Sequence, residues 1–260
     1  MAYSRLFSKG GALTALKSAG IGMVLAASLG AGAMTAHAAQ APAAVKASAT
    51  NAARASLKEL VDAIPRFTAN FKQELTDESG TVLSEARGKI YMMNPDHFMM
   101  HTRIPDETAL YTRGKDIYYY DAAVNQVSIF SMDNLGSNPI ILLSSSDPAR
   151  WDNYSVSRDG SIYTLIPKDP QEVRSITIKF INHNIDGRKG YINTIDSLTI
   201  RMDDGNTNFY LFTNQKDAVS RKNFEFSLPP DVEIDDLAGS ELESRMIGLL
   251  PRLSMLKMET

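Results

Sequence analysis

The chain has 260 residues, with 27 basic against 30 acidic side chains, a net charge of −3 and no cysteine. That acidic balance excludes a general nucleic-acid binder, which needs a surplus of Lys and Arg to neutralise phosphates. The missing thiol excludes disulfides, cysteine nucleophiles and thiolate metal sites, and also the N-terminal cysteine on which a bacterial lipoprotein carries its lipid.

Residues 1–38 hold Arg5, Lys9 and Lys17 without an acid, then an apolar run over 19–36, and end in Ala36-His37-Ala38. Basic start, apolar middle and small-x-small exit read as a signal peptide cleaved near Ala38, so the chain is expected in the periplasm. Its removal takes away three positive charges and makes the exported chain more acidic still. Residues 39–50 are Ala-rich, contain Pro42 and show no apolar face, and are expected to form a flexible linker.

A folded domain is expected over 51–237. It opens with an amphipathic helix in which Leu57, Leu60, Val61 and Ile64 recur at helical spacing until Pro65 ends it. Period-two alternation follows, with Phe67, Ala69, Phe71 and Leu75 on one face and Thr68, Asn70, Lys72 and Glu74 on the other. Further alternating runs are separated by turn signals such as Arg113-Gly114-Lys115 and Asp203-Asp204-Gly205-Asn206. They add up to about ten or eleven strands, as in one large antiparallel sheet curled toward a barrel.

Residues 88–100 hold four methionines, at 92, 93, 99 and 100, around the turn Asn94-Pro95-Asp96. Methionine is flexible and polarizable, so such a cluster suits a surface that accepts apolar ligands of variable shape. In Tyr118-Tyr119-Tyr120 the rings alternate, placing Tyr118 and Tyr120 on one face and Tyr119 on the other. Asn138-Pro139 then caps four consecutive apolar residues, Ile140 to Leu143, which predict a short helix buried on the sheet as a plug or lid. The domain closes at Phe224-Glu225-Phe226-Ser227-Leu228-Pro229-Pro230. In the tail, 238–260, Leu242, Met246, Leu249 and Leu250 could share a helical face.

Chemistry-bearing patterns are scarce. His97 and His101 lie four apart, but a strand and Pro95 argue against the helix that would make this a metal pair, and both read as surface histidines. Ser144-Ser145-Ser146-Asp147 lacks the glycines of a nucleophile elbow and reads as the end of the short helix. Neither catalytic residues nor a cofactor or metal is expected.

Several segments in order resemble the LolA family of periplasmic lipoprotein carriers. They are Phe67-Thr68-Ala69-Asn70-Phe71-Lys72-Gln73, Gly88 through Asn94-Pro95-Asp96-His97-Phe98, Gly114-Lys115-Asp116-Ile117-Tyr118-Tyr119-Tyr120-Asp121, Asn125-Gln126-Val127, Asn138-Pro139 and Phe224-x-Phe226-x-x-Pro229. The resemblance implies a mainly β fold, an incomplete antiparallel β-barrel (half-barrel) covered by a lid of short α-helices. It also implies an apolar cavity for lipoprotein acyl chains, without fixed polar anchors. Phe98 and Met100 match family positions on the cavity side. Phe71, Met92, Leu110 and Tyr118 are placed with them, and Ile140 and Ile141 fall in the lid. Such a carrier takes lipoproteins from the inner-membrane ATP-driven LolCDE complex and passes them to the LolB receptor of the outer membrane, and is expected to act as a monomer. Asn94 departs from the family, which usually has a lid-holding Arg before this Pro. The competing expectation is a periplasmic lipid- or lipopeptide-sensing regulator of the same fold.

Overall fold

The computed structural model describes residues 41–132, 139–145, 148–170, 172–184 and 191–238. The expected signal peptide, the capping Asn138 and the tail from residue 239 lie outside them. The first helix, α1 (Ala41–Asp62), begins inside the stretch expected to be a linker. Alanine has the highest helix propensity, and Pro42 sits in the first turn where its missing N–H is no loss, so these residues extend the helix without an apolar face of their own. Further along, Leu57, Val61 and Ile64 are buried, and α1 packs against the edge of the sheet.

Six strands run in succession from there: β1 (Arg66–Thr76), β2 (Val82–Met93), β3 (His97–Ile104), β4 (Thr108–Arg113), β5 (Asp116–Asp121) and β6 (Gln126–Ser131). Two single-turn helices, α2 (Pro139–Leu142) and α3 (Pro148–Trp151), precede a second run. That run is β7 (Tyr154–Asp159), β8 (Ile162–Pro167), β9 (Val173–Asn184), β10 (Tyr191–Met202) and β11 (Thr207–Lys216). A short 3-10 turn (Arg221–Phe224) leads to β12 (Glu233–Asp236). All belong to one sheet in the order β12-β6-β5-β4-β3-β2-β1-β11-β10-β9-β8-β7. The sheet is large, curved and open, and the two antiparallel meanders meet where β1 pairs with β11.

The extra strand, β12, runs parallel to β6, with Glu233 opposite Gln126 and Asp236 opposite Ile129. Its sequence, Glu-Ile-Asp-Asp, has only one apolar residue and reads as acidic tail. Its place is set by neighbours instead: Glu233 N–H donates to the Asn125 carbonyl at 2.9 Å, and the Asn125 side-chain amide donates to the Asp231 carbonyl at 3.0 Å.

Each sheet face carries its own cluster. The helix-bearing face holds Phe67, Phe71, Ile90, Met92, Phe98, Met100, Leu110, Ile117 and Tyr119 with Leu57, Val61, Ile140 to Leu143 and Trp151. The opposite face holds Met99, Ala109, Tyr111, Tyr120 and Val127, crossed by a strap that lays down Phe224, Phe226, Leu228 and Val232. His97 and His101 belong to this second layer, with ring centroids 5.4 Å from Phe224 and 5.6 Å from Phe226, respectively. Both histidines are therefore half-covered packing elements and not free surface groups.

Gly88 explains how Phe71 fits. Phe71 lies opposite Gly88 across the β1–β2 ladder, and a Cβ at that glycine would strike the His101 carbonyl oxygen and sit 2.8 Å from the Phe71 ring. Backbone is one of the two obstacles, so the clash cannot be relieved by side-chain rotation alone. Gly88→Ala is expected to lower stability by about 3 kcal/mol, read as a fall in the urea unfolding midpoint; an unchanged midpoint would contradict this packing.

Candidate functional site: an apolar face under short helices

The site begins with α2. Four consecutive apolar residues on one helical turn point in every direction, so a helix with only one covered side would leave some in water. Here Ile140, Ile141, Leu142 and Leu143 are all buried, Ile141 completely, within the cluster that holds Phe71, Met92, Phe98, Met100 and Leu110. The expected cavity and lid residues are thereby gathered on one side of the sheet, with one exception.

The exception is Tyr118. It is half-buried on the opposite face, stacked on Tyr111 with centroids 5.1 Å apart and planes 15° apart, while Tyr119 joins the helix-bearing cluster. Ile117, wholly buried on the helix side, sets the parity: residues 117 and 119 share that face, and 118 and 120 share the other. The methionines divide as well, with Met92 and Met100 facing the helices and Met99 facing away.

How α2 is held follows from the β2–β3 turn. Asn94 N–H donates to the Pro65 carbonyl at 2.9 Å, tying the turn to the end of α1, and Asp96 N–H donates to the Ser144 carbonyl at 3.2 Å, tying it to the end of α2. Asp96 has φ 62°, a left-handed conformation that acidic and amide residues tolerate better than most. The Ser144 hydroxyl donates back to the Ile141 carbonyl at 2.9 Å. Thr112 fixes the next strand, its hydroxyl accepting from Phe98 N–H at 2.9 Å and donating to the Asp96 carbonyl at 2.7 Å. The Asn94 side-chain oxygen is buried without a hydrogen-bond partner. Where the family resemblance places a charged latch, this chain therefore has a backbone hydrogen bond and an unsatisfied amide oxygen.

Beside α3, Trp151 donates its indole N–H to the Ser145 carbonyl at 3.4 Å. Arg54 of α1 reaches across to Asp152 at 2.8 Å and to the Tyr154 carbonyl at 3.0 Å. A cleft of about 230 Å³ lies here, lined by Asn51, Arg54, Ala55, Lys58, Trp151 and Asp152.

Sequence reading passed over Gln73, Tyr119, Asn208 and Tyr210, all buried polar or phenolic residues. Their alternation was available: Gln73 stands between Phe71 and Leu75, and Tyr210 between Asn208 and Phe212, at period two. A polar residue in an apolar register reads as an interruption unless the neighbouring strand is known.

Burial also shows in acidity. Tyr154 is pushed up to about 12 by burial, and Tyr111 to about 12 by burial and then by Tyr118. Tyr119 and Tyr210 rise further, again mainly by burial. Among the described residues no group of three or more His, Asp or Glu is placed to hold a metal, and no helix is long and apolar enough to cross a membrane.

An open β-sheet with a helix-covered apolar face, latched by backbone, is the architecture of a carrier of apolar ligands. The chain belongs to the LolA family: residues 63–227 match the family model described as outer membrane lipoprotein carrier protein LolA. An outer-membrane lipoprotein carrier protein of Aliivibrio salmonicida is 34% identical over 171 residues, covering 65% of this chain and 83% of the relative. The corresponding protein of Aliivibrio fischeri is 30% identical over 185 residues, covering 70% and 89%. Among solved structures, a LolA superfamily protein from Nitrosomonas europaea covers 68% of this chain and 98% of its own at 11% identity and a TM-score of 0.43. The family is a non-catalytic binding and chaperone family.

The raised phenols give a signed expectation. In the unfolded chain each ionises at its ordinary 10.0, whereas the folded chain holds its proton to higher pH. Their contribution is therefore complete below pH 10 and declines as the pH climbs toward 12. Urea midpoints measured together with phenolate absorbance should fall across this window, and these tyrosinates should form with unfolding; ionisation of Tyr111, Tyr119, Tyr154 and Tyr210 in the folded state near pH 10 would contradict the assignment.

Proposed function

We propose that the chain is a periplasmic carrier whose helix-bearing face receives the acyl chains of lipoproteins released from the inner membrane and delivers them toward the outer membrane. The observation that carries this reading is the wholly apolar turn of α2, buried in one cluster with Phe98, Met92 and Met100 and tied to the β2–β3 turn through the Asp96–Ser144 backbone hydrogen bond. Exposing the four buried side chains of this turn to water would cost about 1.5–3 kcal/mol each, so the face opens only as incoming acyl chains replace them. The covering residues and the strand residues together make a lining for chains of variable shape, and methionine supplies the compliance.

The energetics favour a carrier that never releases its load to water. Exposing one chain of about 15 methylenes costs roughly 12 kcal/mol at about 0.8 kcal/mol each, and several chains would exceed the practical ceiling of noncovalent affinity near 20 kcal/mol. A bilayer and an apolar protein face solvate the chains comparably. Extraction then needs outside work, as the ATP-driven LolCDE complex would supply, and hand-over needs only a somewhat better acceptor of LolB type. The names of the relatives and the family support the lipoprotein cargo. The signal peptide cleaved near Ala38 supports the compartment, and residues 51–237 carry the function as a monomer. Phe71, Met92, Phe98, Met100, Leu110, Ile140 and Ile141 line the path, with Tyr119 in the place first given to Tyr118.

Two experiments test this. Purified protein incubated with inner-membrane vesicles, the transporter and ATP should emerge from gel filtration with lipoprotein bound; cargo remaining wholly in the vesicles would defeat the proposal. Because the chain has no cysteine, Asp96→Cys with Ser144→Cys creates a single possible disulfide across the α2 latch. Oxidised, this variant should fail to load, and reduction should restore loading; equal loading in both states would mean that α2 does not move.

A further inference from the structure

The helix-bearing face is not uniformly apolar. On β1, Gln73 stands in register with Phe71 and Leu75, and on β11, Asn208 and Tyr210 stand in register with Phe212. Across the seam Gln73 is opposite Tyr210 and Leu75 is opposite Asn208. The Gln73 side-chain amide donates through Nε2 to the Asn208 Oδ1 at 2.9 Å. Gln73 is 6% exposed and Asn208 is 0% exposed. That bond occupies the acceptor of Asn208 and leaves its donor, Nδ2, buried with no partner.

The surroundings sharpen what this donor can accept. Ile200 and Leu198 of β10 stand opposite Asn208 and Tyr210, and both are fully buried. Phe71 lies against Tyr210 with ring centroids 6.2 Å apart. An amide N–H aimed into such a place without a partner is costly, since the group has given up water and received nothing. Leucines at both 73 and 208 would fill the same volume without that cost. The pair Gln73–Asn208 is also oriented: Gln73 holds the oxygen of Asn208, so the free group is a donor in a fixed direction.

A fixed neutral donor in an apolar wall selects a neutral acceptor that arrives attached to hydrocarbon. We propose that Asn208 Nδ2, oriented by Gln73, is the anchor for an acyl carbonyl of the cargo, either the ester of a glycerol-linked chain or an N-acyl amide. A carboxylate fits less well, because burying a charge among Leu, Ile and Phe side chains requires a paired cation. Along β1, Gln73 lies six residues from Phe67, or about 20 Å at strand rise. Phe67 is opposite Met92, one strand turn from the Asp96–Ser144 latch. A chain anchored at Asn208 therefore runs along the β1–β11 seam toward α2, and its head group is held at the end of the sheet remote from that helix.

The anchor rests on the acyl-chain reading and adds a recognised chemical group to it. The test is competition against a fluorescent alkyl-chain dye bound to the purified protein, using 1-palmitoylglycerol (ester), N-(2-hydroxyethyl)palmitamide (amide) and 1-hexadecylglycerol (ether, no carbonyl). The carbonyl-bearing probes should compete about tenfold more strongly than the ether, the effect of one hydrogen bond to a buried donor. Whichever of ester and amide competes better identifies the source of the carbonyl. Gln73→Leu with Asn208→Leu, and Gln73→Met with Asn208→Leu should that pair fold poorly, remove both amides and should lose the discrimination; Asn208→Leu alone would free Gln73 Nε2 to donate in its place. Equal competition by ester, amide and ether in the unaltered protein, or a preference that survives in the variants, overturns the anchor while leaving the carrier reading intact. Failure of the protein to bind the dye or any of the three probes overturns the carrier reading itself, and the anchor with it.

Discussion

The pairing of β1 with β11 is the constraint on which the rest of the molecule depends. It joins the first strand of one meander to the last strand of the other, with Phe71 opposite Phe212 and Thr76 opposite Thr207. Without it there are two separate sheets, and the apolar face is divided between them. The loop-closure entropy of bringing these strands together is large but grows only slowly with length, and the seam offsets it with side chains that meet only there. Phe67 and Phe212 pack edge to face at 6.0 Å, and Gln73 and Asn208 bond across the same line. The seam is therefore both the long-range tie of the fold and the axis of the candidate site.

Covering the face made by that seam falls to very little helix. Among the described residues one long element, α1, closes the β7 side with α3 beside it, and the single turn of α2 lies by the β2–β3 turn. Single turns have almost no intrinsic stability, so α2 exists because its four apolar residues are buried, and those residues are buried because α2 exists. The turn and the packing beneath it therefore form and come apart together. It is held by packing and by the Asp96–Ser144 bond. The unsatisfied oxygen of Asn94, next to this bond, bears the cost of a buried acceptor without a donor.

Much of this could be read from residues, and what could not has identifiable causes. Alternation in β1 gave its two faces, and the apolar run after Pro139 gave a buried helix, because both signals are local. The side taken by Tyr118 was not, since a run of three tyrosines contains no internal polarity; only Ile117 beside it, buried with Met100 and Leu110, fixes which parity faces the helices. β12 was invisible because its acidic sequence has no strand signature and its pairing with β6 is made across more than a hundred residues. The start of α1 was missed for the opposite reason: alanines carry helix propensity without periodicity. Gln73 and Asn208 looked like interruptions in apolar registers until the seam set them side by side.

The two edges of the sheet have an unequal fate that bears on crowding. An open sheet with a free edge is a template on which further copies could add strand by strand. One edge, β7, lies beneath α1. The other, β12, is only four residues long and carries Glu233, Asp235 and Asp236. A second β12 laid alongside would bring like charges into register, and the strand is too short to compensate with backbone bonds. The acidic strand that the sequence disguised as a tail thus closes the sheet with a short, charged edge that disfavours strand addition.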